Sequence, residues 1–212
     1  MACVSDRKEE NMTEEELIRR IREKTAGVSR GLITIDGPCA TGKTTMAGRI
    51  GAAIGAWILH TDDFVIPHRE KTAERLAIPG GNSDTERIVR EIIAPWKAGE
   101  AVRYRRYNFM EDRMREAEEI PAGYTTLILE GSYCNMPGIR EAADVRIFVE
   151  AGWPIREARL RERESPESLA RFYSRWIPLE DAYFAAYGLP DEGCIRIDGG
   201  GFSFPGKESI IT

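Results

Sequence analysis

The segment 37–44, Gly-Pro-Cys-Ala-Thr-Gly-Lys-Thr, combines glycines, a lysine and a hydroxyl at a spacing that suits phosphate binding. It satisfies G-x-x-x-x-G-K-[ST], in which glycines let backbone N–H groups close around phosphate oxygens. Lys43 would supply a charge to the β- and γ-phosphates, and Thr44 would offer its hydroxyl to Mg²⁺. The residues predicted to bind a nucleotide are Gly37, Pro38, Cys39, Ala40, Thr41, Gly42, Lys43, Thr44 and Thr45. A chance match is disfavoured, since the pattern stands between a predicted strand and a predicted helix.

Two acidic positions could complete such a site. Glu130 ends the apolar segment Leu-Ile-Leu-Glu-Gly at 127–131, which would place it beside the phosphates, where it could bind the metal through water. The alternative is a surface glutamate at a strand end. Asp62, in His-Thr-Asp-Asp-Phe at 60–64, would face a substrate hydroxyl as general base or orienting acceptor. The adjacent Asp63 is predicted to cap a turn or helix.

Arginines supply the remaining candidate chemistry. Arg159 and Arg163 are four residues apart, which puts both on one helix face, and their forked donors suit one phosphate group. Both are predicted to stabilise transferring charge together with Lys43. Surface ion pairs with glutamates such as Glu164 are the alternative interpretation.

Other conspicuous side chains are predicted to be structural. His60 and His68 lack the spacing of metal ligands and are predicted to be packed or surface histidines. Trp176, Tyr183 and Phe184 follow helical spacing, which favours packing in the core or in a lid over contact with a cofactor.

These residues need a framework that brings them to one place. Short β-branched or apolar segments separated by helical stretches predict a parallel sheet covered by helices on both faces. The carboxyl ends of its strands would meet at one edge, where open α/β folds bind ligands. Strands are predicted at 32–36, 57–61, 125–130, 145–150 and 194–198, with helices at 13–26 and 44–53.

Three segments interrupt this alternation. Residues 65–84 form a long segment rich in Pro, Gly and charge, which is typical of functional loops. Residues 101–109 predict a small strand or hairpin outside the main sheet. Residues 156–181 are helical and rich in arginine, with a break at Pro166, and form the predicted lid. The predicted organisation is a helical extension at 1–29, one domain at 30–198 and a tail at 199–212.

Composition narrows the classes of protein. The chain has 212 residues, of which 42% are hydrophobic and 31% charged, as in a globular domain with a sizeable core. Its formal net charge of −5 disfavours binding to nucleic-acid backbones. No apolar run approaches the roughly 20 residues of a membrane span, and no secretory signal pattern precedes the domain, so we expect a cytoplasmic protein. The four cysteines are scattered, which favours reduced thiols.

Taken together, the segments 37–45, 61–64, 107–109 (Tyr-Asn-Phe), 129–133 (Leu-Glu-Gly-Ser-Tyr) and 159–164 resemble the uridine kinase-like branch of P-loop small-molecule kinases. That branch includes uridine-cytidine, nicotinamide riboside and pantothenate kinases and phosphoribulokinase. The resemblance implies an α/β fold: a P-loop NTPase three-layer sandwich with a five-stranded parallel sheet, a helical lid and a small substrate-side hairpin.

The resemblance also implies roles for particular residues. Asp62 matches the catalytic base and Phe64 the aromatic residue that follows it. Asp84 matches the acid that holds ribose-type hydroxyls, and Tyr107 begins the motif that contacts the nucleobase. The histidine that uridine-cytidine kinases place shortly after that motif has no counterpart at 110–113, which brings pyrimidine specificity into question.

The expected activity is transfer of the γ-phosphoryl group of ATP or GTP, with Mg²⁺, to a hydroxyl of a small metabolite, a nucleoside first among the candidates. The alternatives are a kinase for a non-nucleoside metabolite and a nucleotide-binding switch that phosphorylates no acceptor. A weaker hypothesis is binding of nucleic acid through arginines near the predicted hairpin, with two tyrosines as stacking platforms. These residues are Arg103, Arg105, Arg106, Arg113 and Arg115, with Tyr104 and Tyr107. The apolar face of the N-terminal helix fits either packing on its own domain or self-association into a homo-oligomer.

Overall fold

A computed structural model describes residues 12–201 and shows a five-stranded sheet between helical layers. The strands are β1 (Gly31–Asp36), β2 (Trp57–His60), β3 (Arg103–Asn108), β4 (Arg113–Glu119), β5 (Thr126–Glu130), β6 (Val145–Glu150) and β7 (Cys194–Asp198). The α-helices are α1 (Glu14–Thr25), α2 (Lys43–Ile54), α3 (Ala73–Ala77), α4 (Thr85–Ile88), α5 (Ala94–Ala98), α6 (Trp153–Arg163), α7 (Pro166–Arg171) and α8 (Ile177–Tyr187).

The main sheet has the strand order β2-β5-β1-β6-β7, and all of its pairs are parallel. The predicted α/β fold with a five-stranded parallel sheet is therefore confirmed. The register pairs Ile35 of β1 and His60 of β2 with Glu130 of β5. Because the strands run in the same direction, Asp36, His60 and Glu130 all stand at one edge of the sheet, and the turn carrying Asp62 follows directly.

Both faces of the sheet are covered, which explains why its strands are nearly continuous apolar runs. One face packs against α4, α5 and the β3–β4 hairpin, with Trp96 and Tyr104 buried there. The other face packs against α1 and α2. On α1, Leu17 and Ile21 are fully buried, and Thr13 caps the helix by accepting a hydrogen bond from the N–H of Glu16. The apolar face of this helix thus belongs to the core of its own domain.

The connections differ from the predictions in detail. The long segment 65–84 includes a 3₁₀ turn at His68–Glu70 and the short helix α3, which Thr72 caps by accepting from the N–H of Arg75. The hairpin predicted at 101–109 extends to a second strand, β4. That strand was missed because its residues, Arg-Met-Arg-Glu-Ala-Glu-Glu, are polar and largely exposed.

The segment predicted as a lid, 156–181, falls within a longer helical stretch. That stretch, called the lid below, consists of α6, α7, a π-helical turn at Phe172–Trp176 and α8. The break expected at Pro166 is present, and the hydroxyl of Ser165 caps α7 there by accepting from the N–H of Ser168 at 3.2 Å.

Residues 1–11 of the predicted extension and 202–212 of the predicted tail lie outside the described residues, as does Cys3. Within the described chain, Cys39, Cys134 and Cys194 are free thiols, as expected from their scatter. None of the helices between residues 12 and 201 combines the length and the apolar character that crossing a membrane requires.

Candidate active site

The segment predicted to bind phosphate, called the phosphate loop below, lies between β1 and the start of α2, which is the structural context that its sequence pattern predicts. Gly37 and Gly42 have φ angles of +138° and +104°, and a side chain on Gly37 would place Cβ 2.1 Å from the carbonyl oxygen of Val149. Both positions therefore require glycine. The Nζ of Lys43 donates to the carbonyl oxygens of Gly37 at 2.6 Å and Pro38 at 2.8 Å, so the loop closes around the lysine. This is a backbone cradle with a cation inside it.

Glu130 stands against the first turn of α2. Its Oε1 accepts from the Thr44 hydroxyl at 3.1 Å and contacts Nδ1 of His60 at 2.5 Å. The hydrogen bond to Glu130 raises the pKa of His60, and the charge of Asp63 adds to this effect. A hydroxyl and a buried carboxylate side by side are the oxygen ligands that Mg²⁺ prefers, so the residues present fit that ion. His60, which was predicted to have no special role, contacts the carboxylate of this pair directly.

Asp62 lies on the 3₁₀ turn Thr61–Phe64 and lines the same cleft as the loop. Solvent reaches it through the cleft, but the surrounding walls displace enough water to raise the pKa of its carboxyl group. Lys43 opposes this rise, whereas Glu130 and Glu180 reinforce it. Asp63 lies outside the cleft lining and contacts a guanidinium nitrogen of Arg106 at 3.4 Å.

Two helices of the lid form hydrogen bonds with the backbone of Cys39. Glu180 of α8 accepts the N–H of Cys39 at 2.9 Å, and the hydroxyl of Ser132 donates to the same carboxylate at 2.5 Å. Arg156 of α6 donates from Nε to the carbonyl oxygen of Cys39 at 2.8 Å. Burial, with the nearby charge of Glu180, raises the pKa of the Cys39 thiol to about 11, so it stays protonated at neutral pH. The lid is thus joined to the phosphate loop.

Asp36 supports the loop from below and is fully buried. Its Oδ1 accepts the N–H of Gly37 at 2.7 Å, and its Oδ2 accepts the Tyr183 hydroxyl at 2.8 Å and the N–H of Asn135 at 3.1 Å. Burial raises the pKa of Asp36 to about 6, although these hydrogen bonds and the charge of Lys43 act in the opposite direction. The first residue of the loop is therefore tied to α8.

The predicted lid arginines both line the cleft. Arg159 donates to the carbonyl oxygens of Ala40 at 3.0 Å and Gly199 at 2.9 Å. Arg163 is more exposed and pairs with Glu164 at 2.7 Å. Arg163 therefore lines the cleft and also forms a surface ion pair with Glu164, one of those that the alternative interpretation names.

The cleft has a volume of about 730 Å³ and unites most of the predicted site. Its lining includes Cys39, Ala40, Thr41, Gly42, Lys43, Thr44, Thr45, Asp62, Glu130, Arg159 and Arg163. Three residues predicted to bind the acceptor are not part of this lining. Phe64 is fully buried in the core, Asp84 caps α4 and pairs with Arg87 at 2.7 Å, and the Tyr107 hydroxyl bonds to Asp112.

Sequence patterns missed several residues of the site. Glu180 and Tyr183 lie three apart on α8; Tyr183 was predicted to pack in the core or in a lid, and Glu180 was given no role. The signal that marks Asp36 is an acid at the end of a fully buried strand. Glu180 carries no comparable signal, because Asp181 follows it directly in α8.

Other residues of the cleft were also left without a role. Phe109 and Tyr133 also line the cleft; both lie within the matched motifs 107–109 and 129–133 but were given no role of their own. Asn82 and Ser83 line the cleft too and were not predicted as site residues.

The similarity of this chain to known proteins lies in its fold. No protein-family model and no curated protein matches the sequence. Among solved structures, a candidate fructose transport system kinase from Silicibacter sp. TM1040 aligns with a TM-score of 0.65 at 23% identity, over 80% of this chain and 92% of that one. A candidate uridine kinase from Bacillus stearothermophilus aligns with a TM-score of 0.64 at 16% identity, over 87% and 98%.

Phosphoribulokinase from Rhodobacter spheroides aligns with a TM-score of 0.53 at 15% identity, over 76% of this chain and 66% of that one. At these identities the likeness establishes the fold. The chain has the fold of the uridine kinase-like P-loop kinases, which confirms the resemblance found in the sequence motifs.

Proposed function

We propose that the protein is a Mg²⁺-dependent kinase that transfers the γ-phosphoryl group of ATP to a hydroxyl of a small metabolite. The observation that carries this proposal is the shared cleft, in which the phosphate loop, Asp62 and the arginines of the lid face one another. A switch needs the phosphate loop but has no need of a carboxylate directed at an acceptor. The fold shared with the P-loop kinases supports the same conclusion.

Each group has a place in this chemistry. The loop N–H groups and Lys43 bind the donor phosphates, and Thr44 with Glu130 would hold Mg²⁺. When bound there, the ion would neutralise negative charge on the phosphates. Asp62 orients the acceptor hydroxyl and accepts its proton. Burial raises the pKa of the Asp62 carboxyl group towards physiological pH. A general base is more effective when its pKa lies near the pH at which it works. Arg159 and Arg163 add positive charge as the phosphoryl group moves.

Nucleosides are the first candidates for the acceptor, and non-nucleoside sugars and alcohols are the next. GTP is the alternative donor. An apolar end of the cleft, formed by Phe109, Met110 and Trp176, suits a planar or hydrophobic part of the acceptor.

The test is Mg²⁺-dependent ADP release from ATP, measured against nucleosides, nicotinamide riboside, pantothenate and sugar alcohols. Asp62→Asn should abolish acceptor-stimulated release while leaving ATP binding intact. Asp63→Asn is the matched control, because Asp63 faces Arg106 outside the cleft lining, and it should retain activity. Binding of ATP with no turnover on any acceptor would contradict the kinase proposal and favour the nucleotide switch.

A further inference from the structure

The proposed base Asp62 has no hydrogen bond of its own to hold its side chain. Within residues 12–201, neither oxygen of its carboxylate accepts a hydrogen bond from another group. The position of the carboxylate therefore depends on the backbone of the 3₁₀ turn Thr61–Phe64. A catalytic group has to be held within about 0.5 Å of its productive position. Whatever fixes this turn consequently fixes the base.

Thr61 joins the start of the turn to the chain that follows β5. Its side chain is only 2% exposed, and its Oγ1 donates to the carbonyl oxygen of Ser132 at 2.8 Å. The contact is closely fitted, because a Cβ on Gly131 would lie 2.1 Å from the same Oγ1. Gly131 has a φ of +123°, which also favours glycine at this position. The hydroxyl of Thr61 thus fills the space beside a residue that carries no side chain.

Ser132 connects this contact to the phosphate loop. Its carbonyl oxygen accepts from Thr61, while its own hydroxyl donates to Glu180 at 2.5 Å and lies 3.3 Å from the carbonyl oxygen of Gly37. Gly37 is the first residue of the loop. A single residue therefore joins the turn that bears Asp62 to the loop that would bind the donor phosphates. The distance between acceptor and donor depends on this connection.

The other contacts of the turn lead to different parts of the fold. Phe64 is fully buried in the core, and its carbonyl oxygen accepts the N–H of Asp84 at 2.6 Å. Asp63 contacts Arg106 of the β3–β4 hairpin at 3.4 Å. These contacts hold the end of the turn that lies after the base. Among the side chains of the turn, as far as the structure describes their partners, Thr61 is the one connected to the phosphate loop.

We propose that Thr61 is a positioning residue, whose hydroxyl fixes Asp62 at the distance from the phosphate loop that phosphoryl transfer requires. Thr61 acts through the backbone of its neighbour and not through contact with the acceptor. The inference rests on the proposed kinase function, because Asp62 needs this placement only if an acceptor is phosphorylated. Removing the hydroxyl should displace the carboxylate of Asp62 and leave the loop, and with it the binding of ATP, in place.

Crystal structures of the full chain test the placement without relying on turnover. Thr61→Val replaces the hydroxyl with a methyl group of similar size and leaves the carbonyl oxygen of Ser132 without its donor. The carboxylate of Asp62 should then move by more than about 0.5 Å or adopt more than one position, while Lys43 stays in place. Thr61→Ser keeps the hydroxyl and should keep the position found in the wild type. Thr61→Cys, with a weak S–H donor, replaces the valine variant if that variant does not fold.

Kinetics with the acceptor that the ADP-release panel identifies then measure the consequence. Thr61→Val should lower kcat by roughly 10- to 100-fold and change the KM for ATP by less than about twofold, as expected for a misplaced base beside an intact donor site. Thr61→Ser should retain kcat within about threefold of the wild type. Thr25→Val is the matched control, because Thr25 also donates its hydroxyl to a backbone carbonyl oxygen, that of Ile21 at 2.9 Å, but lies on α1 outside the cleft lining. It should leave kcat unchanged, and thermal unfolding checks that each variant is folded.

The outcomes separate the two proposals. If the carboxylate of Asp62 keeps its wild-type position in Thr61→Val, or if kcat falls as far in Thr61→Ser as in Thr61→Val, the positioning role of Thr61 is wrong, even where an acceptor is phosphorylated. A KM for ATP that changes as much as kcat would also overturn it. If the carboxylate moves as expected but the wild type phosphorylates no acceptor, the kinase proposal fails and the placement of Asp62 by Thr61 stands.

Discussion

The carboxylate of Glu180, 141 positions along the chain from Cys39, accepts a hydrogen bond from the backbone N–H of that residue in the phosphate loop. Backbone N–H groups of such a loop normally serve phosphate oxygens, so an acid from the lid here uses a donor that a nucleotide could use. The negative charge of Glu180 also lies in the cleft that would receive the phosphates. It is therefore expected to oppose nucleotide binding.

Replacing Glu180 with Gln should tighten nucleotide binding. The amide keeps a hydrogen-bond acceptor for Cys39 and removes the charge. A gain of about tenfold, or about 1.4 kcal/mol, is well within the roughly 4 kcal/mol between unit charges 4 Å apart near a protein surface. Fluorescence titration with a labelled ATP analogue measures it. Glu157→Gln, on the exposed part of α6, is the control and should change little. Weaker binding in Glu180→Gln would show that the carboxylate supports the loop instead.

Removing the charge of Glu130 should lower the pKa of His60. The hydrogen bond to Glu130 is the largest cause of its raised value, so Glu130→Gln should return the titration of His60 towards the ordinary range near 6.5. The chain has two histidines, which makes an NMR titration simple, and His68→Gln identifies the signal of His60.

The same Glu130→Gln protein should need more Mg²⁺ for half-maximal nucleotide binding, because Thr44 would then be the remaining oxygen ligand of the pair. If the His60 titration is unchanged in the variant, the contact between His60 and Glu130 is not maintained in solution.

Asp36 should make stability depend on pH between about 4 and 6. Its pKa is about 6 in the folded protein against 3.8 for an ordinary aspartate, so its contribution is fully present below pH 3.8 and is lost as the pH rises through 6. The loss is on the order of 3 kcal/mol. Denaturant unfolding at pH 4, 5, 6 and 7 should show that Asp36→Asn removes this decline.

Asp191 offers a control of opposite sign. Hydrogen bonds from Arg146 lower the pKa of Asp191 to about 2, so its contribution is present above pH 3.8 and is lost only as the pH falls towards 2. Asp191→Asn should therefore leave the decline between pH 4 and 6 in place. Equal slopes for the wild type and Asp36→Asn would contradict the assignment to Asp36.

Arg163→Ala should reduce the rate of phosphoryl transfer by roughly 100-fold, the effect expected for removing a charge-stabilising donor. Arg163 lines the cleft, whereas Arg161 pairs with Glu157 and is not part of the lining. Arg161→Ala is accordingly the matched control. The kcat of each variant, measured once an acceptor is known, tests whether Arg163 stabilises charge during transfer. Similar kcat values for the two variants would show that Arg163 serves only in surface ion pairing.

The sequence predicted the sheet well because its strands are buried on both faces, which leaves long apolar runs such as the one ending at Glu130. The loop from Gly37 to Thr45 was predictable for a different reason. Its shape depends on local backbone conformation, which glycines at fixed spacing such as Gly37 and Gly42 encode. Strand β4 was missed since an exposed, charged strand has no hydrophobic pattern to detect.

Residues whose roles depend on distant contacts could not be found in this way. Glu180 and Asp36 acquire their partners only when α8 packs against the loop. Conversely, Asp84 and Tyr107 match expected positions in a motif. In the structure, however, Asp84 pairs with Arg87, and the Tyr107 hydroxyl is hydrogen-bonded to Asp112. A sequence motif shows which residue types stand at which positions. It does not show which other side chains pair with them in the folded protein.

Hydrogen bonds from α6 and α8 to the phosphate loop and its supporting residue limit how the cleft can close. Arg156 fixes one helix to Cys39, and Tyr183 fixes the other to Asp36. Between these anchors lies the stretch from Pro166 to Trp176, which includes a π-helical turn. If the cleft closes over a bound nucleotide, this stretch is the part that must move, because the two helices on either side of it are anchored to the loop. Ligand binding should therefore slow backbone amide hydrogen exchange in this stretch, and it should change exchange little at the residues of α6 and α8 that contact the loop.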